Sequence, residues 1–367
     1  LKGGETYTLK ATAAPAEAAI QKVTFTSSNT KVATVGSTTG IVKGLKAGEV
    51  TITATPAGKG ATTTTCKVKV VDGDAVIGTT QYPTLAAAVE KAATGKIIKL
   101  LNDIDLDKTV VISNKTITLD MNGKTISNTK DLWDVPDAKA ANWSLVSVRG
   151  TGNLTITGNG TLAAKENDCY AVDVQDGATL TVENGKLVGN IHAVYVEKGT
   201  ANIKGGTYSI QQTYPDASKA YEFVLNLYDA NRANGTAKMI VTGGTFAKFN
   251  PANCQAEGAN TNFCAPGYKT ELTNGVYVVK AGTNDAMTKV NEAIADSTNE
   301  KIEEAIKAVT EIPNETLASS STTMDKLNEL GSKLATGDGN ATVQIEKAGL
   351  IKSVANAAAL SKDMVAD

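Results

Sequence analysis

Four phrases carry the reading of this chain: NLTITGNGTLAA (Asn153 to Ala164), ATLTVENGKLVG (Ala178 to Gly189), TANIKGGTYSI (Thr200 to Ile210) and KMIVTGGTFAKF (Lys238 to Phe249). Each runs through apolar positions, then Asn-Gly or Gly-Gly, then Thr or Lys, then a large apolar residue. The second glycine falls at Gly160, Gly185, Gly206 and Gly244, with steps of 25, 21 and 38 residues. An earlier copy, ITLDMNGKTI (Ile117 to Ile126), adds Gly123. A second apolar strand precedes each phrase: LVSV (Leu145 to Val148), AVDV (Ala171 to Val174), AVYV (Ala193 to Val196) and VLNL (Val224 to Leu227). The ends of these strands, Val148, Val174, Val196 and Leu227, step by 26, 22 and 31 residues.

Recurrence at this period, with two strands and tight turns per unit, is the pattern of a solenoid. One unit cannot bury its apolar face alone, whereas stacked copies line a continuous core. Glycine is expected where each coil turns sharply, because it accepts positive φ without steric cost. Thr and Val suit strands that stack on their neighbours. The pattern predicts a right-handed parallel β-helix of about five or six coils. An antiparallel sandwich of hairpins would use each Asn-Gly as a two-residue turn, but it leaves the fixed order of strand pairs unexplained.

Composition narrows the function. The chain has 367 residues, 36 basic against 38 acidic, and a net charge of -2. Nucleic-acid grooves and anionic membrane surfaces need clustered Lys and Arg, so neither partner is expected. Arg occurs only at Arg149 and Arg232, which leaves little for bidentate phosphate recognition. No apolar run approaches the roughly 20 residues that span a bilayer. The chain opens on Leu1 and stops on Val-Ala-Asp, which reads as a piece of a longer protein. Of four cysteines, Cys254 and Cys264 bracket a short loop and either close a disulfide or remain thiols. With one histidine and no Cys-x-x-Cys, no zinc site, other metal site or cofactor is expected.

From Glu5 to Val71, short alternating strands (TYTLKATAAP, KVTFTSSN, KVATV, GIVKGL, EVTITATP, CKVKVV) separated by Gly, Pro, Asn and Ser turns predict a small antiparallel sandwich. The run SSNTKVATV, then GIVKGLKAGEVTITAT, then ATTTTCKVKVV, resembles the bacterial immunoglobulin-like group 2 domain over Leu1 to Asp72. That resemblance implies a spacer or adhesive module of bacterial surface or phage virion proteins. Cys66, on the closing strand, reads as a small buried apolar residue.

Upstream of the repeats, TQYPTLAAAVEKAATGKIIKLLNDIDL supplies a cap, with Leu85, Val89 and Ala92 on one face of a short helix. Downstream, FCAPGYKTELTNGVYVVK ends the repeats with an alternating strand. With the GGTY and GGTF turns, these phrases resemble pectate-lyase-like β-helix domains of bacterial surface proteins over Asp74 to Lys280. Two inserts break the rhythm: NTKDLWDVPDAKAANW (Asn128 to Trp143) and QQTYPDASKAYE (Gln211 to Glu222). Loops on a rigid scaffold are where binding surfaces concentrate. Trp133, Trp143, Tyr214 and Tyr221 are therefore the candidate ligand-binding residues. Either they stack on sugar rings, or they fold back and seal the coil edge.

After Lys280 amphipathic helices are expected. Met287, Val290 and Ile294 form one stripe, and Ile302, Ile306 and Val309 another. Ser297 with Glu300 makes a capping box, and Pro313 ends the second helix. A third helix is expected over Thr323 to Leu334, with Leu327, Leu330 and Leu334 apolar, and a weaker one over Leu350 to Leu360. Such helices need a partner surface, either the β-helix or other protein chains.

Two chemistries bear on catalysis. A polysaccharide lyase needs carboxylates that hold calcium and a base nearby. Glu166, Asp168, Asp173 and Asp176, with Glu183, are the acidic residues to weigh, and Arg149 precedes Asp173 by 24 residues. Asp173, between Val172 and Val174, is expected to face outward with Arg149 beside it. A glycoside hydrolase needs two carboxylates across a cleft, and Asp173 with Asp176 fit by count alone. His192 has no evident Ser or Cys partner. DLD (Asp105 to Asp107) and GDGN (Gly337 to Asn340) lack calcium-loop spacing and read as turns.

Together these observations predict a mostly β chain: an immunoglobulin-like sandwich (1–72), a parallel β-helix with a helical cap (73–280) and a helical docking segment (281–367). The expected role is non-enzymatic, with no catalytic residues: an extracellular structural or adhesive protein on a bacterial surface or a phage virion. Expected partners are a glycan or other cell-surface ligand, and further protein chains through the helical segment. No nucleic acid and no membrane insertion are expected. The rival is a polysaccharide lyase or glycoside hydrolase.

Overall fold

The computed structural model describes residues 1–12, 22–58, 62–134, 142–212, 223–254, 257–258, 261–265, 268–281, 283–296, 298–310 and 325–331. The chain divides into two compact units, Leu1–Met239 and Ile240–Asp367.

The first seventy residues form two antiparallel three-stranded sheets. One orders Thr6–Thr8, Ile41–Gly44 and Ala33–Val35, and the other Val23–Ser27, Gly48–Pro56 and Thr64–Val70. Alternation turns Phe25, Val42, Val50, Ile52 and Val70 into a shared core. Cys66 departs from its expected burial. It pairs with the core residue Ile52 and so shares its inner face, yet it is exposed. Its strand is a sheet edge, and across from it only the short strand Thr6–Thr8 closes that side. A groove of about 290 Å³ remains, lined by Tyr7, Leu9, Val42, Cys66 and Val68 among others.

A polar network braces the sandwich to the hairpin strand Thr80–Tyr82 and to Asn102. Gly73 donates its amide to Gln81 Oε1 at 2.9 Å, and Gln81 Nε2 donates to Asp72 Oδ1 at 2.8 Å. Asn102 Nδ2 donates to the Asp72 and Gly73 carbonyls at 3.2 and 2.9 Å, and Lys2 pairs with Asp74 at 2.7 Å. A Cβ on Gly73 would run into the backbone oxygens of Tyr82 and Gly3. Gly73→Ala is therefore expected to cost about 1–3 kcal/mol in urea denaturation, the usual range for overpacking. A Gly78→Ala control meets no neighbouring atom, but it carries positive φ and is expected to cost about 1 kcal/mol.

The helical cap Leu85–Lys91 is closed by Thr84, whose Oγ1 accepts from the Ala87 amide at 3.1 Å. Leu85, Ala88, Val89 and Ala92 are buried. At its other end, Lys115 Nζ donates to the Val89 and Glu90 carbonyls at 2.8 and 2.7 Å, a favourable place for a cation.

From Lys96 onward the chain visits three sheets in rotation. The first pairs Lys96–Leu100, Thr116–Asp120, Asn153–Thr157, Ala178–Val182 and Gly199–Ile203 in parallel. The second pairs Ile104–Asp105, Thr125–Ser127, Thr161–Ala163, Lys186–Gly189 and Thr207–Ile210. The third pairs Val110–Ser113, Ser144–Arg149, Tyr170–Val174, Val194–Val196 and Leu225–Leu227. Ala75–Ile77 and Thr80–Tyr82 cover the start of the first sheet as an antiparallel hairpin.

Register puts like on like. Ile117, Leu154, Leu180 and Ala201 form one buried column, and Val148, Val174, Val196 and Leu227 another. Neighbouring parallel strands lie about 4.8 Å apart, so these side chains touch their copies above and below. At the turns, Gly123, Gly185, Gly206 and Gly244 have positive φ as expected. Gly160 does not. There Gly158 takes the left-handed conformation at φ 80°, and Gly160 serves a close approach, since a Cβ would meet Met121 and Lys124.

In the second unit, Tyr268–Thr273 and Val276–Ala281 pair as an antiparallel hairpin. Asn274 and Gly275, at φ 51° and 76°, make its turn. Two helices come next, Thr283–Ala295 and Asn299–Thr310, with a further helical stretch at 325–331. Val290, Ala293, Ile302, Ala305, Val309, Leu327 and Leu330 close into one buried cluster. The apolar stripes thus cover one another. Lys289–Glu304 and Lys301–Asp296 ion pairs, both 2.7 Å, lie on its outside. Ser297, Pro313, Leu334, Gly337 to Asn340 and Leu350 to Leu360 lie outside the described residues, as does the side chain of Met287. No described helix is long and apolar enough to cross a membrane.

Candidate ligand-binding face

The outer face of the third sheet gathers Trp133, Trp143, Arg149, Asp168, Asp173 and His192 from the residues singled out from the sequence. Val172 and Val174 point into the core, so the residue between them, Asp173, points out. It aligns with Ser147 on one side and Tyr195 on the other. The expected alignment with Arg149 is thus two residues off. Nor is Asp173 solvated: its exposure is 0%. Ser144 Oγ donates to its Oδ1 at very short range, Ser147 Oγ to Oδ2 at 3.0 Å and Gln175 Nε2 to Oδ2 at 2.5 Å. Burial raises its pKa to about 6, and those hydrogen bonds and the Arg149 charge only partly offset this. Arg149 itself donates Nε–H to Ser147 Oγ at 2.8 Å and Nη2–H to Asn142 Oδ1 at 3.1 Å. The polar core of this face therefore fastens the far end of the first insert.

Asp168 fastens the near end. It is 7% exposed and accepts from Asn128 Nδ2 at 2.7 Å, from the Leu132 amide at 2.9 and 3.1 Å, and from the Trp133 amide at 3.0 Å. Asn128 Oδ1 in turn accepts from the Lys165 amide at 2.8 Å. Glu166, Asp176 and Glu183 are exposed and stand apart from this arrangement. Among the described residues, no three His, Cys, Asp or Glu side chains are grouped to hold a metal ion.

Aromatic rings line the same face. Trp133 meets Tyr170 edge-on at 5.2 Å, and Trp143 meets Tyr195 edge-on at 5.7 Å. Tyr170 and His192 lie 4.4 Å apart, and His192 stacks on Tyr195 at 5.2 Å. His192 Nδ1 donates to the Phe223 carbonyl at 2.7 Å, while Nε2 faces Asn226 Nδ2 at 3.4 Å. Burial lowers its pKa to about 4, so the ring is neutral and both nitrogens are engaged, which is the state of a packed histidine. Trp133 nevertheless keeps 43% of its surface exposed, and Tyr228 48%. Tyr214 and Tyr221 fall outside the described residues. Tyr170 and Tyr195 were not singled out from the sequence. Tyr195 was within reach there, because it stands between Val194 and Val196 in an outward position.

The candidate bridge between Cys254 and Cys264 is not formed, and both side chains are buried. Burial raises the Cys264 thiol to about 11, which keeps it protonated and unreactive at neutral pH. Cys169, also buried and free, has its thiol pushed up further by burial and by Asp168.

The profile of the bacterial Ig-like domain (group 2) matches residues 1–68. Those residues are a bacterial Ig-like domain. No curated protein matches the chain.

Proposed function

We propose that this is a non-enzymatic, extracellular structural or adhesive protein of a bacterial surface. In this reading its three-sheet region is a right-handed parallel β-helix of the pectate-lyase-like kind, and the first insert is where it meets a glycan ligand. Strands that rotate among three sheets support the β-helix reading. The right-handed sense follows from the near-universal hand of parallel crossovers. The Ig-like domain supports the location, since such domains occur in bacterial surface proteins; no observation supports a virion.

One observation carries the non-enzymatic reading. The groups on which a lyase or hydrolase would draw are occupied in holding structure. Asp173 is enclosed, Asp168 caps loop amides, and His192 is neutral and packed. A general base needs an open path to its substrate proton, and an inverting or retaining pair needs two carboxylates facing one cleft.

The test exposes the intact chain to neutral and acidic polysaccharides with and without Ca²⁺, scoring retention and cleavage together. Retention of at least one glycan without cleavage is expected. Cleavage of any chain under either condition would end the non-enzymatic reading.

A further inference from the structure

We infer that Asp168 is a positioning residue that holds Trp133 ready as a stacking platform for a pyranose ring. This rests on the reading that the first insert is the ligand-contacting loop. Trp133 is a large apolar side chain left 43% exposed, yet its backbone and ring are both held. Its own amide and that of Leu132 are both held by one carboxylate. Leu132, the residue before it, is buried. Its ring stands edge-on against Tyr170, which is itself buried. Fixing an indole in this way while its surface stays in water lowers the ordering cost that a ligand would otherwise meet on binding.

The surroundings favour a sugar over a protein surface. A tryptophan that anchors a protein interface sits within an apolar, desolvated pocket. Here the flanking residues Lys130, Asp131 and Asp134 are exposed, and Asp131 pairs with Lys165 at 2.6 Å. Charged and polar groups around one aromatic face suit a ring with an apolar C–H face and a rim of hydroxyls.

The chain has two tryptophans, so Trp143→Phe, excited where only indole absorbs, leaves Trp133 as the sole tryptophan emitter. In that background Asp168→Asn keeps the shape of the side chain but turns an acceptor oxygen into a donor facing amide N–H groups. The measurements are acrylamide quenching of Trp133 in that background and, for Asp168→Asn with Trp143 retained, affinity for a glycan selected on a printed array of cell-surface glycans. Quenching is expected to rise by about twofold and affinity to fall about tenfold, with an unchanged β-sheet circular dichroism spectrum. Trp133→Ala is expected to abolish binding.

Asn128→Ala, which removes the 2.7 Å contact to Asp168 together with the contacts to the Lys130 carbonyl and the Lys165 amide but leaves both Asp168 contacts to the insert amides, should give a smaller change of the same sign. It stands in if Asp168→Asn does not fold. Raised quenching with unchanged affinity would overturn the positioning role and leave the ligand loop intact. Binding by Trp133→Ala equal to wild type, or no glycan retained by the wild type, would overturn both. Retention of proteins only would overturn the sugar class.

Discussion

Leu154→Ala is expected to destabilise the protein by about 3–5 kcal/mol in urea denaturation, whereas Thr155→Ala, one residue on, is expected to cost less than about 0.5 kcal/mol. Leu154 is fully buried in the column formed by Ile117, Leu180 and Ala201. Its removal leaves a cavity that the copies above and below cannot fill, because each is held by its own strand pairing. Thr155 points the other way, between Thr118 and Thr181. The contrast between adjacent residues follows from a period of two, and an equal loss at both would rule out this register.

The second large effect is electrostatic and concerns Asp173 and His192. Asp173 has its pKa raised from 3.8 to about 6. Between those values the folded chain keeps a proton that the unfolded chain has lost. Asp173 therefore removes about 3 kcal/mol of stability as pH rises from about 4 to 6. His192 has its pKa lowered from 6.5 to about 4. There the unfolded chain holds the extra proton, so His192 adds about 3 kcal/mol over nearly the same window. The two oppose each other in the wild type.

Removing one exposes the other. Asp173→Asn is expected to lose about 3 kcal/mol, relative to wild type, on acidification from pH 6.5 to 4, and His192→Gln to gain about as much. Denaturation midpoints measured across that range check both signs. Slopes that match the wild type in both variants would mean that neither group is buried as described.

Local pattern carries part of this architecture and long-range contact carries the rest. The column Val148, Val174, Val196 and Leu227 is readable from spacing alone, because each residue closes an alternating apolar strand of the same length. The turn glycines are readable where φ alone decides, as at Gly185. Gly160 is not, because its requirement is space beside Met121 and Lys124 from the preceding repeat.

Counting from Arg149 misplaces Asp173 for a similar reason. Ser144 pairs with Tyr170 and Ser147 with Asp173, a step of 26 residues fixed by the turns rather than by one repeat length. The enclosure of Asp173 depends on serines from another strand and could not be seen in its outward position. Trp133 and Trp143 were legible as insert aromatics. The clamp that Asp168 applies to the insert, 35 residues away in sequence, left no local signal. Cys66 shows the converse: its alternation is correct, but the edge of the sandwich leaves it open.

The most direct test of the stacking is disulfide trapping. Cys66, the one exposed cysteine among the four, is first replaced by Ser. Thr155→Cys is then combined either with Thr181→Cys, its partner in register, or with Thr179→Cys, the diagonal neighbour. In-register parallel strands place the first pair of Cα atoms about 5 Å apart, within disulfide range, and the second pair beyond about 7 Å. Rapid intramolecular oxidation of 155 with 181, and none of 155 with 179, is predicted. Efficient bridging of 155 with 179, or failure of 155 with 181, would contradict the stacked register on which the rest depends.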